Sequence, residues 1–155
     1  MDYTYFYPTK IGEIVIRENG SGITHISTKA CFVMDDSEVS ETPLLKKAAQ
    51  QIQEYLEGKR TAFDLPLSPE GTPFQKAAWE ALLTIPYGET RSYKQMAEQV
   101  GNPKACRAIG MANNRNPIMI VVPCHRVIGA DGKLVGYGGG LDMKRKLLEI
   151  EKGKL

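Results

Sequence analysis

The stretch SYKQMAEQVGNPKACRAIGMANN, residues 92–114, contains two short amphipathic segments separated by a turn. In the first segment Ser92 stands at the capping position, and apolar side chains then recur at helical spacing. Gly101 ends this helix, and Asn102-Pro103 caps the next one, whose apolar stripe runs from Ala105 to Ala112. Two short helices joined in this way predict a helix-turn-helix. The residues that follow read as a wing: a strand VIG, an Asp131-Gly132 turn, and a second strand KLVGY.

The first half of the chain predicts a separate, smaller α/β unit. Apolar and aromatic residues alternate in the first thirty positions, and ENGSG at 18–22 is a turn signal, so we expect an antiparallel hairpin or meander. The segment 32–41 is polar and reads as a loop. Thr42-Pro43 then opens a helix that Gly58 ends.

A proline-rich connector, KRTAFDLPLSPEG, marks a domain boundary, which divides the chain into residues 1–68 and 69–155. After it, Thr72 and Gln75 form a capping box that starts a helix running to about Thr84.

Composition and charge limit the classes of function. A hydrophobic fraction of 42% and a charged fraction of 25% are typical of a globular protein. No apolar run is long enough to span a membrane, and the N-terminus does not resemble a signal peptide, so we expect a cytoplasmic or nuclear protein. Residues 1–70 carry a net charge of −4 and residues 71–155 a net charge of +6. This asymmetry indicates either an anionic partner such as nucleic acid or chance.

Cysteine and histidine usage argues against a metal centre. The chain has three cysteines, an odd number, and they lack the spacing of metal ligands or of a disulfide framework. Only two histidines are available, at positions 25 and 125. We therefore expect neither a metal nor a cofactor.

The segment IVVPCHRVIG, residues 120–129, brings a cysteine to the end of an apolar run. Cys124 is either a small buried hydrophobe or a nucleophile, which would need a base to form the thiolate. In an extended segment His125 would point to the opposite face, so either a bridging water or a bend in the loop would have to connect the two. A third group should orient the histidine.

The last helix offers that third group. Its apolar positions are Leu141, Leu147, Leu148 and Ile150, and Glu151 falls on the same face. Either Glu151 pairs with His125, in which case its charge should raise the pKa of His125, or it reaches water from a frayed C-terminal turn. Just before this helix, GYGGG at 136–140 would let backbone approach a ligand closely, or is a plain linker.

Two side chains of the helix-turn-helix have open interpretations. Arg107 lies opposite the apolar stripe among small neighbours, which suits a close approach to a duplex, although most surface arginines are simply solvated. Tyr93 falls on the apolar face, where its hydroxyl needs a partner, and it could equally point into a pocket.

Taken together, PCHRV, the preceding NRNP, the glycine-rich loop and KRKLLEIE resemble the O6-alkylguanine-DNA alkyltransferases, also called methylated-DNA–protein-cysteine methyltransferases. The resemblance runs from about Thr72 to Glu151, and the first half matches only in its order of strands and helix. It implies an α+β fold, with a small ribonuclease-H-like antiparallel sheet and helix followed by a winged helix-turn-helix. It also implies an irreversible, single-turnover transfer of an alkyl group from O6-alkylguanine, and from O4-alkylthymine, to the protein's own cysteine.

The resemblance assigns roles to residues. Cys124 accepts the alkyl group, His125 deprotonates it through a water, and Glu151 orients His125. Tyr93 protonates a ring nitrogen of the leaving guanine, and Asn116 links the helix-turn-helix to the cysteine segment. DNA contacts are expected from Arg107, as the finger that fills the gap left by the flipped base, and from Ser92, Ala105, Cys106, Gly110, Met111 and Asn114. The substrate pocket is expected to comprise Val127, Tyr137, Gly138, Gly139, Asn113 and Met119.

This chain departs from some relatives at Gly138, where they carry serine, and at Asn113, where they carry an apolar residue. The expected partner is double-stranded DNA containing O6-alkylguanine. We expect the protein to bind it as a monomer and not to associate with a membrane. The alternatives are a non-catalytic lesion-recognition protein, a helix-turn-helix transcription regulator and a cysteine hydrolase. The presence of Cys124 argues against the first, PCHR against the second, and the lack of a recognisable oxyanion hole against the third.

Overall fold

The computed structural model of the chain describes residues 2–29, 36–129, 131–132 and 140–153. It divides into two compact units, which are Met1–Glu70 with Pro117–Met119, and Gly71–Asn116 with Ile120–Leu155. The first unit holds a four-stranded sheet and one helix, and the second is mainly helical. The expected α+β class is therefore confirmed.

The sheet of the first unit begins as the expected antiparallel meander. Strands β1 (Tyr3–Thr9), β2 (Gly12–Glu18) and β3 (Ile23–Thr28) pair in sequence, and β2 lies between the other two. The expectation of a loop over 32–41 was wrong in part, because Glu38–Val39 forms strand β4, parallel to β1. Backbone pairing with β1 decides this, since Glu38 N donates to Asp2 O and Ser40 N to Thr4 O.

Helix α1 (Pro43–Leu56) supplies the rest of the first core. The Thr42 hydroxyl accepts from Leu45 N at 3.2 Å, which confirms the expected cap, and Gly58 adopts φ +75° after the helix. The buried apolar residues of the first unit come from this helix and from strands β2 and β3, and they include Leu45, Ala48, Ala49, Ile52, Tyr55, Leu56, Ile14, Val15, Ile16, Ile23 and Ile26.

A later segment of the chain returns to this unit. Ile26 N donates to Pro117 O at 2.8 Å and Met119 N donates to Ile26 O at 3.0 Å, so residues 117–119 form a bridge beside β3. The chain leaves this bridge through Ile120, which is buried and has a left-handed backbone with φ +71°.

The second unit contains the remaining elements. They are α2 (Pro73–Leu82), β5 (Arg91–Ser92), α3 (Tyr93–Gln99), α4 (Cys106–Asn114), a 3₁₀ turn at Cys124–Arg126, β6 (Val127–Ile128) and α5 (Leu141–Glu151). The capping box of α2 is confirmed, because the Thr72 hydroxyl accepts from Gln75 N while Gln75 Oε1 accepts from Thr72 N. This helix ends two residues earlier than expected.

Helices α3 and α4 form the predicted pair, but α4 begins later than Asn102-Pro103. Ser92 caps α3 with a full capping box, and Gly101 follows it at φ +84°. Ala105 N donates to Asn102 O, which closes a tight turn, so α4 starts only at Cys106 and has no side-chain cap. The connection between the two helices is therefore longer than the sequence indicated.

Two contacts fix the surroundings of α4 and the cysteine turn. Trp79 Nε1 donates to Ala112 O at 2.9 Å, which ties α2 to the last turn of α4. Strand β6 pairs in parallel with β5, through Val127 with Arg91 and Ile128 with Ser92.

The second wing strand expected over 133–137 lies outside the described residues. Leu141, expected on the apolar face of α5, is 47% exposed.

Candidate active site

Cys124 begins a single turn of 3₁₀ helix. The apolar residues Val121 and Val122 lead into it, and Cys124 N donates to Val122 O at 2.8 Å. Cys124, His125 and Arg126 are all buried. Of the two alternatives, an extended segment and a bend in the loop, the structure shows the bend, because the backbone closes a turn after Pro123 rather than continuing as a strand.

The turn presents His125 and Arg126 to one carboxylate. His125 Nε2 donates to Glu151 Oε2 at 2.5 Å, and the side chains of both residues are at most 1% exposed. Arg126 Nε donates to Glu151 Oε1 at 2.8 Å, and its Nη2 donates to Oε2 at 3.1 Å. The alternative of a frayed C-terminal turn is excluded, because the final residue of α5 is held in a buried network.

The loop after α2 completes this network. Gly88 N donates to Glu151 Oε1 at 3.1 Å, and Arg126 Nη1 donates to Ile85 O at 2.7 Å. Gly88 has φ +80°, a backbone conformation that glycine adopts without strain. The Arg126 guanidinium also lies 5.7 Å from the centre of the Tyr87 ring, within the range of a cation–π contact. For this region the sequence predicted only that the preceding helix ends near Thr84.

The pKa of His125 is lowered overall, although its contact with Glu151 raises it as expected. Complete burial lowers the pKa of His125, and this effect exceeds the opposing hydrogen bond and charge of Glu151. Arg126 and Lys144 lower the pKa further, and Arg126 ion-pairs with the same carboxylate. The imidazole is therefore neutral at neutral pH. Because Nε2 donates to Glu151, the basic lone pair of this neutral ring is on Nδ1.

Asn116 holds the cysteine from the other side. Its Nδ2 donates to Val122 O at 2.8 Å and to Cys124 Sγ at 3.2 Å. Asn116 N in turn donates to Asn113 O at the end of α4. One carboxamide thus joins the end of the helix-turn-helix to the sulfur, and its N–H favours the thiolate form of Cys124.

A buried lysine, which the sequence did not single out, lies in the same site. Lys144 on α5 is fully buried, and its Nζ lies 5.8 Å from the centre of the Tyr93 ring. Burial lowers the pKa of Lys144 to about 8, against a smaller opposing effect of Cys124. Burial, followed by the charge of Cys124, raises the pKa of Tyr93. The structure therefore brings Cys124, Tyr93 and Lys144 within electrostatic range of one another.

The residues expected to meet DNA lie mostly on the outer side of α4. Arg107, Met111 and Asn114 are exposed, and Met111 is 58% exposed. Gly110 and Cys106 are half-buried, whereas Ala105 is buried and offers little surface. Ser92 uses its hydroxyl to cap α3. A Cβ added at Gly110 would lie 3.9 Å from Cε1 of Tyr93, so this helix approaches the tyrosine closely.

Of the six residues expected to line a pocket, three lie in the described part of the chain. Val127 and Asn113 are buried in the second unit. Met119 is also buried but belongs to the first unit, where it pairs with Ile26. Tyr137, Gly138 and Gly139 lie outside the described residues. Among the residues that the structure describes, no three His, Cys, Asp or Glu side chains are grouped closely enough to hold a metal ion.

Comparison with known families covers both units. The family model described as "6-O-methylguanine DNA methyltransferase, DNA binding domain" matches residues 73–153. A second, described as "6-O-methylguanine DNA methyltransferase, ribonuclease-like domain", matches residues 2–69. The chain belongs to the O6-methylguanine DNA methyltransferase family. The matched DNA-binding region includes every residue of the Cys124, His125 and Glu151 network.

Individual relatives of this family are similar over almost their full length. A methylated-DNA–protein-cysteine methyltransferase of Methanosarcina barkeri is 49% identical over 94% of this chain and 94% of its own. One from Mycobacterium tuberculosis is 49% identical over 93% of this chain and 88% of its own. The crystal structure of the M. tuberculosis protein OGT in complex with DNA superposes with a TM-score of 0.92, at 46% identity, over 98% of this chain and 94% of that one.

No helix within the described part of the chain has the length and hydropathy needed to cross a membrane.

Proposed function

We propose that this protein repairs DNA by direct reversal of damage, and that Cys124 takes the alkyl group from O6-alkylguanine, or from O4-alkylthymine, and keeps it. Membership of the methyltransferase family supports the reaction class. The observation that carries the assignment to Cys124 is its position on one turn with His125, whose imidazole is held by the buried Glu151. Cys106 lies half-buried on α4, and no such network surrounds it among the described residues.

The first step is formation of the thiolate. The Cys124 proton passes through a bridging water to His125, which is neutral and therefore able to accept it. Glu151 then stabilises the imidazolium, and the Asn116 N–H stabilises the negative sulfur. Lys144 contributes a positive charge within electrostatic range of the sulfur, and this charge also favours the thiolate.

The second step is displacement at carbon. The thiolate attacks the sp³ carbon bonded to O6 of the base, so that a C–S bond forms while the C–O bond breaks. The electron pair of that bond leaves with the guanine, which takes a proton at a ring nitrogen from Tyr93. Burial keeps Tyr93 protonated until this moment, and Lys144 beside its ring stabilises the resulting phenolate.

The base must leave the duplex before this chemistry can occur. Extruding a nucleotide costs a few kcal/mol, and least where alkylation has already weakened the pair. Arg107, exposed on α4, fills the gap and holds the extrahelical state. Positive charge in residues 71–155 supplies phosphate contacts, which position the protein without reading sequence. We place this activity in the cytoplasm, or in the nucleus of a eukaryote, for a protein acting as a monomer.

The thioether has no route back to a thiol, so each chain acts once. A lesion-recognition protein would bind without transfer, and a cysteine hydrolase would turn over repeatedly. Intact-mass analysis after incubation with a duplex bearing one O6-methylguanine tests the assignment. We expect one added methyl group, located on the Cys124 peptide, in the wild type and in Cys106→Ala. Cys124→Ser should bind the duplex normally and remain unmodified. A methyl group on Cys106, or an unmodified wild type, would contradict the proposal.

A further inference from the structure

One buried polar side chain of α4 makes no hydrogen bond to the described part of the protein. Asn113 is 7% exposed, yet neither its Nδ2 nor its Oδ1 has a hydrogen-bond partner among the described residues. Buried polar atoms are almost always hydrogen-bonded, because leaving one without a partner costs free energy. The end of the helix is anchored without this carboxamide, since Trp79 Nε1 donates to the neighbouring Ala112 carbonyl.

Asn113 stands between two residues that reach the reacting groups. Gly110, three residues earlier on the same helical face, approaches the Tyr93 ring. Asn116, three residues later, donates from its Nδ2 to Cys124 Sγ. The backbone carbonyl of Asn113 accepts from Asn116 N. The carboxamide is thus in the short stretch of chain that connects the proton donor to the nucleophile.

The chemistry of the lesion matches a carboxamide. Alkylation at O6 removes the proton from N1 of guanine, so N1 becomes an acceptor directly beside the 2-amino donor. Carboxamides read such neighbouring donor and acceptor atoms by two parallel hydrogen bonds. Unmodified guanine presents two donors on this edge instead, and one of them would face the N–H of the carboxamide.

We propose that Asn113 is a specificity-determining residue that reads this edge of the extrahelical base. Its Nδ2 donates to N1, and its Oδ1 accepts from the 2-amino group. The inference rests on the proposed function, because it assumes that an alkylated guanine occupies the site. The bond to N1 also strengthens as negative charge spreads onto the leaving base. O4-alkylthymine presents two acceptors here, so it gains only one of the two bonds.

A comparison of two bases isolates this contact. Single-turnover transfer is measured for duplexes that carry either O6-methylguanine or O6-methylhypoxanthine, which lacks the 2-amino group. The wild type should prefer the guanine lesion by about tenfold, because O6-methylhypoxanthine keeps the bond to N1 but leaves the buried Asn113 Oδ1 without a donor. Asn113→Leu, which keeps the volume but not the polar atoms, should react more slowly with the guanine lesion and lose most of the preference. Asn113→Asp should be slower still, because its carboxylate faces the N1 acceptor.

Thermal melting separates this role from a structural one. Asn113→Leu should melt at or above the wild-type temperature, because it removes polar atoms that the fold leaves unsatisfied. Equal preference ratios in wild type and Asn113→Leu, or a large drop in its melting temperature, would overturn the inference. In both cases methyl transfer by the wild type would leave the proposed function standing. A wild type that alkylates no cysteine with either base would overturn the proposed function itself.

Discussion

Glu151 and His125 form a buried hydrogen bond of 2.5 Å that joins the last residue of α5 to the turn carrying the cysteine. The same carboxylate is paired with Arg126, so its charge is already compensated before the imidazole is considered. His125 is therefore oriented by Glu151 but stays neutral, because burial lowers its pKa. A general base needs this combination of fixed orientation and an available lone pair.

Glu151→Gln should slow transfer at neutral pH by well over tenfold, which is more than about 1.4 kcal/mol of barrier. The amide keeps the size of the side chain but cannot stabilise the imidazolium that forms when Cys124 loses its proton. Raising the pH should recover part of the rate, as thiolate forms without help. Single-turnover transfer measured against pH tests this prediction.

Glu151→Gln should also lower the melting temperature, because Arg126 is left as a buried charge without its partner. Glu149→Gln, on the same helix but without contact to His125, is the control and should change neither rate nor profile. If the pH profile of Glu151→Gln matched that of the wild type and only stability fell, Glu151 would be a structural residue.

Lys144→Met should have opposite effects on stability and rate. The folded protein holds the Lys144 proton less tightly than the unfolded chain, since the pKa falls to about 8 from 10.5. This amine therefore opposes folding below pH 8, and the penalty is relieved as pH rises from about 8 towards 10.5. Methionine removes the penalty, so the variant should melt at a higher temperature at pH 7.

Its transfer rate at pH 7 should fall about tenfold, because Cys124 and the leaving base lose a nearby positive charge. The loss should shrink above pH 8, where the wild-type amine is itself neutral. Lys146→Met, an exposed position on the same helix, is the control. A variant that melts higher but keeps the wild-type rate at every pH would remove Lys144 from the reaction.

Arg107→Ala should slow repair of duplex DNA far more than reaction with free O6-benzylguanine, which needs no base flipping. The salt dependence of DNA binding should decrease only slightly, since one charge is lost. Arg115→Ala removes the same charge from another exposed position and should not produce this difference between the rates on duplex DNA and on the free base. Equal losses on both substrates would assign Arg107 to the pocket or the fold.

Trp79→Phe should destabilise the second unit by about 1–3 kcal/mol, the cost of leaving a buried acceptor without its donor. Chemical denaturation measures this loss. The Cys124 network is contacted by other side chains, so transfer by the folded variant should remain close to wild type. If the transfer rate fell far more than the folded fraction, the hydrogen bond between Trp79 and Ala112 would be needed to position the catalytic residues.

The starts of three helices could be predicted from the sequence because their N-terminal capping residues are recognisable. Thr42, Thr72 and Ser92 each cap the helix that was expected after them. The start of α4 was misjudged, because Asn102-Pro103 satisfies the local rules for a cap while the chain closes a turn there instead. Strand β4 was missed, since two residues paired with a distant strand leave no periodic signal.

The pairing of Glu151 with His125 was readable because an acidic residue fell on an apolar face. The burial of Lys144 and Arg126 could not be predicted, since a cation in a charged helix or beside a histidine is expected to be solvent-exposed until the tertiary packing is known. The raising effect of Glu151 on the His125 pKa was predicted, but the net lowering of that pKa was not. The net lowering depends on complete burial and on Arg126 sharing the carboxylate, and neither is a local property of the sequence.

The stoichiometry of transfer tests the central claim most directly. The protein is incubated with an excess of duplex carrying O6-methylguanine, and the guanine formed is counted against the protein present. We expect one guanine per chain, with one methyl group on Cys124 and no further reaction however long the incubation. More than one guanine per chain, or a methyl group that leaves Cys124, would contradict irreversible transfer to this cysteine.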